Sequence, residues 1–415
     1  MTQVAPHHHD PLDLATGRDE TRFAADVVGF LEDHAPRRDA DTVAWGRGPE
    51  GLTIFHETSG EEELAEVRAA KEWQATKWSA GFGWLTGPTE YGGRGLDAGY
   101  ERLFRAIEAA FAVPDWNPIR IGLSTVSPSL VRNGTPEQIR DYAVGIQSGE
   151  LVACQLFSEP DAGSDLAAVH TRADRDGEVW RLTGQKVWTS NAQFADVGLA
   201  LVRTDPTVSK HKGLTVFLVP MDLAGVEVRR LRQLTGGASF SEVFFDNAVV
   251  PDELRVGGVG DGWAVALSTL AAERQSTGDR SHALTARGLA MLVALADHND
   301  LRADPVHRQR LADLAVRLRV AAYHQQRMES RPAGEPKGPE RALDKLLLAA
   351  NLARIGEAAS GLLGARLTAD TGEWGTFAWG SWILGATGYR LGGGTDEILR
   401  TMIGERLLGL PREPT

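Results

Sequence analysis

The sequence is poor in cysteine and contains no long apolar run. Its single cysteine, Cys154, excludes an internal disulfide bond and favours a reducing compartment, so we expect a cytoplasmic protein. We find no signal peptide and no run of about 18 apolar residues, which predicts that the chain has no membrane segment. The histidines at 7–9 stand in a terminus that contains proline and aspartate, and we interpret them as plain chain rather than a metal site.

The balance of charge is acidic. With 44 lysines and arginines against 56 aspartates and glutamates, the formal net charge is −12 at pH 7, which argues against nucleic acid or an anionic membrane as the main partner. Hydrophobic residues make up 42% and charged residues 24%, as is usual for soluble globular proteins. A chain of 415 residues can bury a large core and is expected to form two or three domains.

The hydrophobic pattern changes its period twice, which predicts an α+β chain of three domains. Residues 1–150 are expected to form an N-terminal α-helical domain, with a flexible leader at 1–20 and helix from Thr21. Residues 151–255 are expected to form a β-barrel or sandwich, and residues 256–415 a C-terminal helical bundle. We predict helices at 61–80, 97–112, 136–147, 263–297, 305–328, 338–368 and 395–408, and strands at 152–158, 167–174, 178–183, 196–203, 214–220, 226–231 and 241–246.

One stretch, Cys154–Asp165, joins a strand-like run to a loop of small residues. Pro160 ends the strand ladder, and Gly163 permits a positive φ. The side chains of Ser158 and Ser164 and several backbone N–H groups are then left to face a ligand, because small residues let a large polar cofactor approach the main chain.

A second stretch, Gly184–Asn191, places an aromatic side chain beside two hydroxyls. Trp188 offers a flat face for stacking, and Thr189 and Ser190 offer donors, which are the two things that a flat heteroaromatic cofactor needs. Each stretch alone is also typical of an ordinary strand-to-turn junction, and Trp188 is open to interpretation as a core residue. The two stretches together favour a cofactor site.

Several short motifs occur in an order that is specific in combination. They are Tyr91–Gly95, Ser158–Asp165, Leu234–Gly236, Glu242–Asp246 followed by Val250 and Pro251, Gly394–Ile398 and Glu405–Glu413. This combination resembles the acyl-CoA dehydrogenase family over nearly the whole chain. The resemblance implies an FAD-dependent oxidoreductase of fatty acid and lipid metabolism, with helical, β and helical domains in that order.

The resemblance also implies the reaction, an α,β-dehydrogenation of an acyl-CoA thioester to the 2-enoyl-CoA. A carboxylate takes the α-proton, the β-hydrogen passes as hydride to N5 of the flavin, and an electron-transfer flavoprotein is the expected acceptor. Hydrogen bonds that polarise the thioester carbonyl stabilise the developing enolate charge. Two alternatives stay open on the same fold: a flavin oxidase or monooxygenase, and a non-catalytic subunit of a heteromeric enzyme.

Two positions supply the catalytic carboxylate in the resembled family. One directly precedes the Gly-Thr of the C-terminal motif, and here it is Gly393, which has no side chain to act as a base. The other begins a Glu-Arg pair on the first helix after the β domain, and here it is Glu273, followed by Arg274. At helical spacing Glu273 shares a mostly apolar face, where desolvation is expected to raise its pKa. Without the resemblance, Glu273 would be interpreted as a surface residue paired with a cation.

The resemblance implies further roles, residue by residue. Ser158 and the backbone near Phe157 are expected at the pyrimidine side of the flavin, with Trp188 over the ring and Ser190 at N5. Glu159 and Asp165 are interpreted as turn-capping rather than catalytic residues. The implied FAD-binding residues are Phe157, Ser158, Gly163, Ser164, Trp188, Thr189, Ser190, Thr395 and Glu397, and the implied substrate-binding residues are Ser164, Arg274 and Gly393.

Two motifs of the resembled family are missing or faint. Ala296–Asp300 occupies the place of Arg-x-x-Phe-Gly, and Gly385–Arg390 is only a trace of Gln-x-x-x-Gly-Gly-x-Gly. In homomeric relatives both elements reach the adenosine and pyrophosphate half of a neighbour's FAD. We therefore expect a homologous second subunit in a heterotetramer, as in heteromeric bacterial members. The alternative is a homotetramer in which Arg302, His307 or Arg308 does the same work.

Overall fold

The structure is a computed structural model that describes residues 18–38, 54, 60–331, 339–368 and 376–412, without the side chains of residues 18, 275–283 and 376–378. Residues 1–17 of the expected leader lie outside the described residues. The first helix already begins at Arg18, ahead of the predicted start at Thr21.

The chain falls into two compact units. The first comprises the described residues within 1–41, 60–154 and 194–197, and the second comprises the described residues within 42–59, 155–193 and 198–415. Most residues of the sheet and all of the C-terminal helices therefore belong to the second unit. The predicted division into three domains, with boundaries at 150 and 255, stays a prediction.

The first unit is helical. Its core joins three long helices through aromatic rings, of which Phe30 and Trp73 stack with centroids 5.7 Å apart. The indole Nε1 of Trp73 donates to the buried Glu108 carboxylate at 2.8 Å, which satisfies that polar pair. The helices are α1 (Arg18–His34), α2 (Gly60–Ser79), α3 (Ala98–Glu108), α4 (Ser127–Asn133), α5 (Pro136–Gln138) and α6 (Val144–Gln147), with π-helical turns at Gly122–Val126 and Ile139–Ala143.

One mixed sheet of eight strands follows, in the order β6-β7-β3-β2-β4-β5-β8, with β1 paired to β4. Strands β4 and β5 are buried along almost their whole length, as expected of apolar runs covered on both faces. Strands β3 and β7 extend well beyond the predicted segments and form a long antiparallel pair. The strands are β1 (Ala153–Leu156), β2 (Arg172–Asp176), β3 (Val179–Ser190), β4 (Val197–Arg203), β5 (Leu214–Pro220), β6 (Val226–Leu231), β7 (Phe240–Pro251) and β8 (Arg255–Val256).

Long helices complete the second unit. Trp379 and Trp382 are fully buried in their core. Among the described residues, one helical stretch, Arg341–Thr368, is long and apolar enough to cross a membrane by length and composition, and 56% of its apolar window is buried. The helices are α7 (Gly262–His298), α8 (Pro305–Glu329), α9 (Arg341–Leu363), α10 (Thr376–Ala386) and α11 (Asp396–Arg406), of which α10 was not predicted from the sequence.

Candidate functional site

Trp188 stands in an irregularity of the sheet. The pairing of β3 with β7 shifts register between Lys186 and Thr189, and Trp188 has a φ of 60°, which bulky residues rarely adopt. Its side chain is 63% exposed, and Phe240 meets it edge to face with ring centroids 6.2 Å apart. The core interpretation of Trp188 is therefore wrong, and the sheet presents a large aromatic surface on a strained backbone.

Buried polar atoms without hydrogen-bond partners among the described residues lie at the end of β3, just after β3, and in the loop before β7. Thr189 is 1% exposed, and its Oγ1 has no hydrogen-bond partner among the residues that the structure describes. The same is true of Gln193 Nε2 and Thr235 Oγ1. Because a buried polar atom without a partner costs about 1–3 kcal/mol, these atoms suit a polar ligand.

The two stretches singled out in the sequence lie side by side. The backbone N–H of Val187 donates to the carbonyl of Ser158 at 2.9 Å, which brings Ser158 next to the strand that carries Trp188. Phe157 is buried and Ser158 is half-buried.

The small residues that follow are open to solvent. Gly163 and Ser164 are exposed, but Gly163 does not adopt the positive φ that it permits. The turn closes earlier, through the paired backbones of Glu159 and Ala162. The exposed Asp165 pairs with Lys210 at 2.7 Å and does not cap a turn in this contact.

Glu273 and Gly393 are neighbours in space. Glu273 lies on α7 and is half-buried, and Gln155 of β1 approaches its Oε2 with Nε2 at 3.5 Å. A Cβ atom added to Gly393 would lie 3.8 Å from Glu273 Oε1. A side chain at position 393 would therefore extend into the volume that the Glu273 carboxylate borders.

Arg274 lies in the electrostatic reach of this carboxylate. Burial lowers the pKa of its guanidinium below the ordinary value, the negative charge of Glu273 opposes this shift, and Arg406 of α11 adds to it. Ala266 is fully buried and Leu270 half-buried on the face expected for Glu273, while the side chain of Thr277 lies outside the described residues.

The C-terminal motif is held by charged side chains, of which Lys345 and Asp396 are buried. Lys345 of α9 donates its Nζ to the carbonyl of Gly394 at 2.6 Å and lies 3.8 Å from the carboxylate of Asp396. Arg390 donates to Asp396 at 2.8 Å. The Thr395 hydroxyl caps α11 by accepting from a backbone N–H, and Glu397 is exposed to solvent.

Three of these residues were missed in the sequence: Gln155, Lys186 and Lys345. Lys186 is fully buried and lies 2.7 Å from Glu159, but its strand also carries Arg181 and Gln185, so the pattern of the strand gave no sign of this burial. Gln155 and Lys345 gave no signal, because their partners lie far away along the chain. Among the described residues, no group of three or more His, Cys, Asp or Glu side chains suits a metal ion.

The residues on the sheet fit a flavin. The exposed Trp188 ring offers a stacking face, and the buried hydroxyl of Thr189, which has no partner in the described part of the chain, offers a hydrogen-bonding group. The half-buried Ser158 and Ser190 add two hydroxyls beside them.

Comparisons with known proteins point to one family. The family model described as acyl-CoA dehydrogenase, middle domain, matches residues 154–248, and the model described as acyl-CoA dehydrogenase, C-terminal domain, matches residues 260–408. Acyl-CoA dehydrogenase IpdE1 of Mycobacterium tuberculosis is 38% identical over 398 residues, which cover 95% of this chain and 99% of that protein.

Solved structures share the fold. The structure titled Tcur3481-Tcur3483 steroid ACAD has a TM-score of 0.76 at 24% identity and covers 97% of this chain and 100% of its own. The ChsE4-ChsE5 complex from Mycobacterium tuberculosis has a TM-score of 0.68 at 23% identity, covering 87% of this chain and 100% of its own. These likenesses confirm the predicted α+β class with helical, β and helical parts.

Proposed function

Because the chain belongs to the acyl-CoA dehydrogenase family, whose members use FAD to oxidise acyl-CoA thioesters, we propose that Glu273 removes the α-proton and that the product is the 2-enoyl-CoA. One observation carries this proposal. Glu273 Oε1 lies 3.8 Å from where a side chain on Gly393 would begin, so the carboxylate occupies the volume that the other family position would fill.

The surroundings of Glu273 suit a general base. Its carboxylate is half-buried, and the neutral amide of Gln155 approaches it at 3.5 Å, so that the carboxylate is partly shielded from solvent. The backbone at Gly393, with a φ of 70°, leaves space beside the carboxylate for a substrate carbon.

We propose that the flavin lies against Trp188, with Ser158, Thr189 and Ser190 at its polar edges. When bound, FAD supplies the acceptor for the β-hydrogen. Ser158 reaches this place through the backbone contact of its carbonyl with Val187. Thr189 Oγ1, buried and without a partner among the described residues, gains one there.

The expected second subunit belongs to the proposal as well. Arg302, one of the residues considered as a substitute for the missing motif, is engaged by Asp297 at 2.9 Å and is directed to that carboxylate. One of the solved structures with this fold is the ChsE4-ChsE5 complex. We propose that a homologous chain completes the FAD site and that an electron-transfer flavoprotein accepts the electrons. A stoichiometric, yellow homotetramer purified from this chain alone would contradict the second subunit.

The base is tested by Glu273→Gln. We expect turnover of an acyl-CoA substrate with an artificial electron acceptor to fall by about 10²–10⁴-fold, since general-base catalysis has that size. Glu357→Gln is the matched control, because Glu357 is an exposed glutamate on α9. Unchanged turnover in Glu273→Gln would indicate that the base lies in another subunit. Reoxidation by air at the catalytic rate after anaerobic reduction would indicate an oxidase instead.

A further inference from the structure

A lysine and a glutamate are buried together inside the sheet. The Lys186 side chain is 0% exposed and the Glu159 side chain 5%, and Nζ lies 2.7 Å from Oε1. Lys186 Nζ also donates to the carbonyls of Phe157 at 3.1 Å and Leu201 at 2.5 Å. The three donors of the ammonium group therefore have three acceptors.

The glutamate is saturated in the same way. Its Oε1 accepts the backbone N–H of Thr171 at 2.9 Å, and its Oε2 accepts that of His170 at 2.5 Å. Burial lowers the pKa of Lys186 to about 8, and the charge of Glu159 opposes that shift. Burial acts to raise the pKa of Glu159, but Lys186 and the hydrogen bonds outweigh it and keep the pKa below its ordinary value. The acceptors around Nζ and the donors to the carboxylate suit the charged form of each group.

The pair ties together the segments that carry the proposed flavin contacts. Phe157, whose carbonyl Lys186 holds, directly precedes Ser158. Lys186 itself stands two residues before Trp188, at the point where β3 shifts its register against β7. The pair thus fixes the distance between the Ser158 backbone and the Trp188 backbone.

Stability alone does not account for such a pair. Two apolar residues of similar volume are often as stabilising as a buried ion pair or more so, because charges lose hydration on burial. An ion pair with directed bonds to chosen carbonyls adds what apolar contacts lack, a fixed backbone position. This suits a strand that must hold a strained residue at a φ of 60°.

We propose that Lys186 and Glu159 are positioning residues of the flavin site, which hold the Phe157–Ser158 backbone against the Trp188 turn so that both fit one isoalloxazine ring. The proposal rests on the placement of the flavin under the proposed function, but not on the role of Glu273. Neither side chain is assigned a step in the reaction.

The deciding variant is the double replacement Lys186→Met with Glu159→Gln, which removes both charges and leaves none unpaired. The full chain is purified together with any chain that co-purifies. The dissociation constant of FAD is measured by titrating the apoprotein, together with the visible absorbance and circular dichroism of the bound flavin. We expect weaker binding by roughly tenfold or more, and an altered flavin spectrum, while the far-ultraviolet circular dichroism of the protein stays unchanged.

Lys210→Met is the matched control. Lys210 pairs with Asp165 at the same 2.7 Å, but both side chains are about half exposed and the pair lies at the end of the same loop. We expect its flavin affinity and spectrum to equal those of the wild type. The charge-conserving variant Lys186→Arg provides a second measurement. We expect it to fold and to bind flavin more weakly, because a guanidinium cannot reproduce all three bonds in this volume.

Two results overturn the inference. The first is a double variant whose flavin affinity and spectrum equal those of the wild type. The second is a double variant that unfolds, combined with a Lys186→Arg variant that binds flavin like the wild type. The proposed function fails in a distinguishable way, since a Glu273→Gln variant with full turnover refutes the base without any change in flavin affinity.

Discussion

On the sheet side of the candidate site, Lys186 and Glu159 are almost completely buried, and directed bonds at 2.5–3.1 Å surround both charges. On the helical side, Glu273 is only half-buried, and the amide of Gln155 reaches it at 3.5 Å beside a glycine. The difference matches the two roles that we propose, a flavin platform on the sheet and a base on the helix. A cofactor platform has to hold its shape, whereas a base has to leave room for the substrate and for its own proton transfer.

The largest expected effect comes from removing one charge of the buried Lys186–Glu159 pair in the sheet. Lys186→Met alone leaves the Glu159 charge buried without its cation, and we expect a loss of about 3–5 kcal/mol in the free energy of unfolding. Urea unfolding followed by circular dichroism measures it. The double variant with Glu159→Gln should recover most of this loss. If the single and double variants are equally stable, the two charges do not act as a pair.

A smaller effect is expected on the helical side. Gln155→Leu removes a donor to the Glu273 carboxylate that helps to orient it, so kcat/KM should fall by roughly tenfold. Steady-state rates with an acyl-CoA substrate measure this fall. Gln185→Leu is the control, since Gln185 donates to Glu242 at 3.1 Å in the same sheet. An unchanged kcat/KM in Gln155→Leu would show that the amide does not orient the Glu273 carboxylate.

Gly393→Ala probes the space beside the base. The φ of 70° costs a residue with a Cβ about 1–2 kcal/mol, while the new Cβ would stand 3.8 Å from Glu273, an ordinary contact. We expect lower thermal stability with activity retained within about tenfold. Gly380→Ala is the control, because Gly380 lies in α10 with open space around it and should become slightly more stable. Abolished activity in Gly393→Ala would mean that the site tolerates no atom there.

The smallest expected effect concerns Asp252, which follows β7 and is not part of the candidate site. Hydrogen bonds from Arg255 and Trp180 lower the pKa of Asp252 to about 2. A lowered carboxylate pKa stabilises the fold above its unfolded value near pH 4, and this stabilisation is lost as pH falls toward 2. Asp252→Asn should therefore lower the free energy of unfolding by less than about 1 kcal/mol at pH 6. The difference in Tm between wild type and variant should shrink between pH 6 and pH 3. A constant difference would exclude this linkage.

Much of the fold was predictable, because periodic patterns report helices and strands directly. The predicted 214–220 and 226–231 strands are confirmed at those residues, and the 263–297 helix is extended by one residue at each end. Helix α10 was missed because its residues are apolar nearly all round, so they show no helical alternation of polar and apolar side chains.

The site was predictable only in part. The hydroxyls after Trp188 favoured a ligand-binding role for its ring over a core position; the ring is exposed, and its role stays a prediction. The nearness of Glu273 and Gly393 joins positions on different helices and loops, and one sequence holds no signal of that distance. The Lys186–Glu159 pair likewise depends on how β3 lies beside the preceding loop, which local pattern does not report.

The central claim is that Glu273 removes a carbon-bound proton. It is tested most directly by following deuterium uptake at the α-carbon of an acyl-CoA in D₂O, under anaerobic conditions and without an electron acceptor. The wild-type enzyme should exchange the α-proton, and Glu273→Gln should exchange it at least about 10²-fold more slowly, with flavin content equal in both. Exchange at the wild-type rate in Glu273→Gln would contradict the claim.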